Sequence, residues 1–190
     1  MGNLFQKKHP ILSENENSIC ESKITLNECF NSIKELPNNK SPGSDGMSTE
    51  FYKFFWDDIQ TFLLDSYVYN FENNILSLDQ RRAVLTLIPK AGKDIRYLKN
   101  WRPISLLNTD YKILAKILAN RIQKVMPFIV SNDQVGYIKG RNIGDNIRTM
   151  LDILEITKNE NDPGLMVLID FEKAFDTISW DFLYETLTFF

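Results

Sequence analysis

Leu165-Met166-Val167-Leu168-Ile169-Asp170 is an unbroken apolar run closed by a carboxylate. The run is too short for a helix and lacks the alternation of a half-exposed strand, so it reads as a fully buried strand ending at Asp170. Asp176 follows about one turn later, and Ser179 is placed to cap an amphipathic helix over Trp180 to Phe189. A carboxylate at the exit of a central strand is held rigidly and projects into a cleft, where it suits a hard divalent ion that takes oxygen ligands. Taken alone, the residue types slightly favour a plainer role, a helix-capping or turn aspartate.

Upstream, Asp133 to Arg141 is a loop punctuated by Gly136 and Gly140, and a helix is expected from Asn142 to Thr157. Asp110 opens another helix, with an apolar stripe at positions 113, 114, 117, 118, 122 and 125, and Pro127 should end it. Lys112, Lys116 and Lys124 fall together on another face of that helix. Arg82 to Pro89 and Arg102 to Leu106 read as two strands around the turn Ala91-Gly92-Lys93-Asp94, which predicts a hairpin with a long basic tip.

Leu26, Cys29, Phe30, Ile33 and Leu36 recur at helical spacing after Thr25, and Pro37 closes that helix. Ser41-Pro42-Gly43-Ser44-Asp45-Gly46 is turn chemistry. A longer helix is expected from about Thr49 to Phe71, its apolar face including Phe51, Phe54, Phe55, Ile59, Phe62, Leu63 and Tyr67. Asp57 and Asp58 superficially suggest the paired aspartates of a polymerase, but such a pair belongs on a tight hairpin, and here it sits mid-helix facing solvent. Residues 1–22 are polar and aperiodic, a linker or lead-in without a fold of its own.

The chain has 190 residues, 43% hydrophobic and 12% aromatic, enough apolar surface to exclude disorder throughout. Two cysteines and one histidine form neither a disulfide scaffold nor a metal-ligand spacing. No apolar run approaches a membrane span and no secretory leader is visible, so a soluble, intracellular chain is expected. The net charge of −3 is unevenly distributed. Residues 1–80 carry −6, residues 81–148 carry +10 and residues 149–190 carry −7. A block of that sign and density is the footprint of a phosphate-binding surface, because counterions released from a polyanion drive association; the plainer alternative is a solvated helix face.

Several stretches together resemble the reverse transcriptase of a non-LTR (LINE-type) retrotransposon. They are Asn39-Lys40-Ser41-Pro42-Gly43-Ser44-Asp45-Gly46 with Glu50-Phe51-Tyr52-Lys53; Leu87-Ile88-Pro89-Lys90-Ala91-Gly92-Lys93-Asp94; Asn100-Trp101-Arg102-Pro103-Ile104-Ser105-Leu106-Leu107-Asn108; Asp133-Gln134-Val135-Gly136-Tyr137; and Ile169-Asp170-Phe171-Glu172-Lys173-Ala174-Phe175-Asp176. Each is weak alone, but the ordered set is specific and covers about residues 39–190. Ser44 stands where the family usually has Pro, a difference in turn stiffness more than in chemistry.

The resemblance implies an α+β chain: fingers and the first part of the palm of a right-hand polymerase, incomplete, with a lead-in at 1–22, a fingers-like region at 23–160 and the start of the palm at 161–190. The family's aromatic-x-Asp-Asp hairpin does not occur before Phe190, and the upstream endonuclease is absent, so the chain resembles a fragment that lacks the downstream palm and thumb and is inactive alone. The activity implied for the complete protein is RNA-directed DNA synthesis from an RNA template, a DNA primer and deoxynucleoside triphosphates, with two Mg²⁺ ions. Asp170 would be the catalytic carboxylate and a metal ligand, Phe171 would add its carbonyl, and Arg102, Lys90 and Phe175 would meet the incoming nucleotide. Lys93, Lys99, Lys112, Lys116 and Arg141 would touch the template backbone, with a solvated-face reading equally open. By the same resemblance the compartment is cytoplasmic and nuclear, with no membrane partner. Two rivals stand beside this reading: a retrotransposon-derived module that binds nucleic acid without catalysis, and a nonfunctional gene fragment.

Overall fold

The computed structural model describes residues 12–159, 164–171 and 177–189. It is a mixture of helices and one small antiparallel sheet, and it divides into two compact units. The first is Cys20–Arg121; the second takes the described residues up to Ile19 and from Ile122 on. Among the described residues no helix is long and apolar enough to cross a membrane.

A short helix, α1 (Glu14–Glu21), lies within the stretch expected to be an unstructured lead-in. The overlooked signal is a Ser-x-x-Glu start. The Ser13 backbone N–H donates to the Glu16 carboxylate at 2.7 Å, and the Glu16 N–H donates to Ser13 Oγ at 3.4 Å. The same device starts α2 (Leu26–Glu35) between Thr25 and Glu28.

The first unit packs α2 against α3 (Thr49–Phe54), α4 (Trp56–Asn73) and the first half of α5 (Thr109–Ile129). Its core is Ile24, Cys29, Ile33, Tyr52, Trp56, Leu63, Tyr67, Ile113, Leu114 and Ile117. Burial pushes the Cys29 thiol up to about 11, so it behaves as a small apolar group. The single helix expected over 49–71 is two, broken at Phe55, whose φ of −95° and ψ of 21° leave the helical well. Periodicity does not register a one-residue break, because Phe51, Phe55 and Ile59 keep their spacing of four across it. Phe54 and Phe62, expected on the apolar face, are 82% and 75% exposed.

β1 (Ala83–Pro89) and β2 (Trp101–Leu107) form the expected hairpin, with Ile88 opposite Arg102 and Thr86 opposite Ile104. Apolar side chains are exposed on both faces, including Val84, Leu85, Leu87, Ile88 and Ile104. α5 does not stop before Pro127 but runs through it. Pro127 lies in the last turn, where a missing N–H costs one helical bond at an end that frays anyway, and the Val130 N–H still closes onto the Met126 carbonyl at 3.0 Å.

In the second unit the helix expected over Asn142 to Thr157 is α6 (Ile143–Asn159), which begins one residue later, with the Asn142 side chain accepting the Gly144 N–H at 2.9 Å, and ends two residues later. Ser179 caps α7 (Trp180–Phe189), its Oγ accepting the Phe182 N–H. Residues 164–171 correct the opening expectation: they adopt no regular secondary structure, and Ile169 is 76% exposed. A strand is defined by its ladder, and the one sheet among the described residues is the β1–β2 pair. Apolar composition made the run eligible for a strand without supplying a neighbour.

Candidate nucleotide and nucleic-acid interface

The hairpin gathers two of the residues singled out for the nucleotide. Arg102 lies directly across from Ile88 on β2 and is exposed. Lys90 follows β1, its backbone N–H donating to the Asn100 carbonyl at 2.7 Å, so strand alternation places it on the Arg102 face. Lys90 Nζ donates to the Lys99 carbonyl at 2.9 Å, which ties the two ends of the tip together.

The tip itself is built from its own polar groups. Asp94 and Arg96 form an exposed bidentate pair, with Arg96 Nη2 2.7 Å from the carboxylate, and this holds Asp94 below the usual carboxylate range. Asn100 Nδ2 donates to the Asp94 carbonyl at 2.8 Å and Trp101 Nε1 to the Ile95 carbonyl at 2.8 Å. Lys93 is exposed in the turn, and Lys99 rests its ammonium 5.6 Å from the Tyr97 ring centroid. The tip is therefore a shaped loop that presents cations.

The base of the hairpin is locked to the turn at 41–46, a junction that pattern reading missed. Asn108, 2% exposed, donates from Nδ2 to the Asp79 carbonyl at 3.1 Å, and its Oδ1 accepts the Asp45 N–H and the Ser44 hydroxyl, both at 3.4 Å. Thr109 Oγ1 donates to the Met47 carbonyl at 2.7 Å. A Cβ on Gly43 would lie 2.0 Å from Asn108 Oδ1 and 2.5 Å from its backbone N. Glycine is required there by close approach of backbone to backbone. Behind this junction Tyr67, fully buried, donates its hydroxyl to the Asp110 carbonyl at 2.6 Å. Burial, and then the neighbouring Asp110, push its phenol up. Burial likewise raises Asp110, against the hydrogen bonds it accepts from Tyr111 and Gln80. The signal in sequence is the Asn108-Thr109-Asp110 run at the start of α5, which marks a helix start but not its long-range partners.

The two halves of the first motif hold each other. Glu50 accepts the Asn39 N–H, and Lys53 Nζ donates to the Leu36 carbonyl at 2.8 Å and to Asn38 Oδ1 at 2.6 Å.

Several cations of the +10 block are engaged by protein groups. Lys112 Nζ donates to the Ser41 carbonyl at 3.2 Å, and Lys116 pairs with Glu35 at 3.0 Å. Arg121, 4% exposed, is committed to Glu28 and to the carbonyls of Cys20, Ser22 and Lys23. In the second unit Arg141 donates to the carbonyls of Ser131, of Gln134 at 2.6 Å and of Val130 at 3.0 Å. These contacts give Lys112, Lys116 and Arg141 structural partners that a charge count does not reveal.

Asp170 and Phe171 are exposed in the irregular segment of the second unit. Phe175, with Asp176, lies outside the described residues. Among the described residues no three His, Cys, Asp or Glu side chains gather as a metal-binding group. One carboxylate and one carbonyl fall short of the oxygen cage Mg²⁺ requires, so the described residues do not by themselves fit the two ions the resemblance implies.

Residues 88–190 match the reverse transcriptase (RNA-dependent DNA polymerase) family, and the chain belongs to it. It is 40% identical, over 94% of its length, to an uncharacterized 149 kDa protein of transposon TX1 from Xenopus laevis. It is 26% identical over 83% of its length to a probable RNA-directed DNA polymerase from transposon BS of Drosophila melanogaster. It is also 23% identical over 83% to the RNA-directed DNA polymerase from mobile element jockey of the same fly. The chain spans 14%, 18% and 17% of those three proteins respectively.

Proposed function

We propose that this chain is the nucleotide-facing and template-facing part of a retrotransposon RNA-directed DNA polymerase, with residues 23–160 serving as fingers and residues from 161 as the start of the palm. The observation that carries the reading is the hairpin, which sets Arg102 and Lys90 on one face beside a basic tip anchored through Asn108. The fixed fork of the Arg102 guanidinium suits a triphosphate, and Lys90 adds a second charge at the same strand end. Lys93 and Lys99 meet the nucleic-acid backbone, whereas Lys112 and Arg141 chiefly position loops and Lys116 ties α5 to the end of α2. Asp170 and the Phe171 carbonyl are the oxygens this chain contributes toward a divalent cation; Mg²⁺, where bound, supplies charge neutralisation at the phosphates.

The test is titration of labelled RNA and primer-template duplex with the chain at two salt concentrations. Affinity should fall as salt rises, and Lys93→Ala should reduce the slope by about one counterion. No binding at low salt by a folded sample overturns the proposal. Binding retained in a longer polypeptide that performs no synthesis would favour the non-catalytic remnant instead.

A further inference from the structure

The outward side of α4 carries a pattern that neither the packing of the first unit nor the nucleic-acid reading uses. Asp58, Phe62, Asp65, Tyr69 and Glu72 follow one another at steps of four, three, four and three, so carboxylates and aromatic rings alternate along one stripe of the helix. All five are exposed, Phe62 by 75% and Tyr69 by 62%, whereas Trp56, Leu63, Tyr67 and Asn70 fill the buried side. A single exposed ring is ordinary on a protein surface. Rings repeated at an interval of seven residues, with carboxylates at the same interval between them, have the spacing of a seam along which one helix lies against another. From Phe54 to Gln80 the chain contains no lysine or arginine, and among the described residues none of the three carboxylates is held in an ion pair. The stripe is therefore an apolar seam with uncompensated negative charge.

We infer that this stripe is a docking surface for a cationic amphipathic helix of a partner protein, whose Lys or Arg side chains meet Asp58, Asp65 and Glu72 while apolar residues between them cover Phe62 and Tyr69. Charge decides the occupant. A polyanion is repelled by the three carboxylates, so the stripe does not extend the nucleic-acid surface of the +10 block, and a second copy of α4 would set carboxylate against carboxylate. A helix with cations at the same seven-residue interval answers both the charge and the spacing. Exposed ion pairs contribute little each, so burial of the two rings supplies the affinity and the charges fix register and speed the encounter. Arginine among the cations gains further by lying on a ring face.

The experiment measures anisotropy of a labelled synthetic helical peptide that repeats Leu and Lys on one face at steps of four and three, and of a twin with Glu in place of Lys, together with thermal unfolding of each protein variant. The wild-type chain should bind the Lys peptide about tenfold or more tightly than the Glu twin. Phe62→Ser with Tyr69→Ser should weaken the Lys peptide about tenfold at unchanged Tm, since both rings are exposed. Asp65→Lys with Glu72→Lys should reverse the preference toward the Glu twin, a change that loss of general acidity does not produce. Asp152→Lys with Glu155→Lys, exposed on α6, is the control and should leave the preference for the Lys peptide in place. If the two peptides bind wild type alike, if the α6 reversal acts as the α4 reversal does, or if the serine pair binds as wild type, the stripe is not a docking surface and the inference fails. Titration with RNA reads the proposed function separately, and that function stands or falls on its own.

Discussion

Arg121 on α5 grips both carboxylate oxygens of Glu28 on α2, with Nε 2.7 Å from one and Nη2 2.9 Å from the other. The geometry is the bidentate fork that makes arginine–carboxylate pairs both strong and directional, and it joins segments far apart in sequence. Glu28→Gln should destabilise the chain by about 2–3 kcal/mol, less than for a fully buried pair because the Glu28 side chain is 27% exposed. Chemical denaturation would read this, and Arg121→Lys should lose part of the same stability by removing the fork.

That pair also predicts an acid response. The Arg121 hydrogen bonds hold Glu28 below the ordinary carboxylate range, against a smaller opposing effect of burial. A carboxyl depressed in the folded state contributes stability that is present above its unfolded value and lost as pH falls through the folded one. Tm measured from pH 6 downward should therefore fall more steeply for wild type than for Glu28→Gln. Equal slopes would remove Glu28 from the acid response.

Gly43→Ala should destabilise the chain by about 1–3 kcal/mol or more, since the new Cβ meets the backbone of Leu107 and Asn108, which cannot yield. Gly46→Ala is the control. Gly46 has φ of 72° and open space around it, so its cost is limited to about 1 kcal/mol of backbone strain. Comparing midpoints of denaturation separates close approach from conformational freedom as the reason for glycine.

Arg102→Lys retains charge and discards the fork. In a longer polypeptide of this family that supports synthesis, it should reduce turnover substantially more than Lys99→Arg at the tip, read by primer extension at saturating and limiting nucleotide. Equal effects would take Arg102 out of the nucleotide site.

Asp170→Asn in the same polypeptide should abolish synthesis with little change in Tm, because the residue is exposed and the substitution nearly preserves shape. Asp58→Asn, on the exposed face of α4, should leave synthesis unchanged. Near-normal extension by Asp170→Asn would overturn its assignment.

The hairpin was legible because two β-rich runs and the turn between them are local statements, fixed by residues within reach of one another. The helix starts at Thr25, Asn142 and Ser179 were legible for the same reason. What escaped depended on distant partners. The run 165–169 carries the composition of a buried strand, yet burial belongs to a ladder that no single segment encodes. Lys112, Lys116, Arg121 and Arg141 counted equally in the charge block, but a formal charge does not say whether a cation faces a phosphate or a carbonyl. The Asn108 junction brings together residues more than sixty positions apart, which no spacing rule covers.

The two-stranded sheet also bears on how the chain behaves in crowded solution. The Lys90–Asn100 bond sets the parity of the ladder, so Ala83, Leu85, Leu87, Pro89, Trp101, Pro103, Ser105 and Leu107 turn their backbone polar groups outward. An open rim of this kind, flanked by Leu85 and Leu87, is a template onto which another extended chain could add. Prolines at 89 and 103 each delete a donor from that rim, and Arg82 and Arg102 place charge along it. The exposed apolar side chains of this hairpin thus come with built-in protection against fibril-like growth.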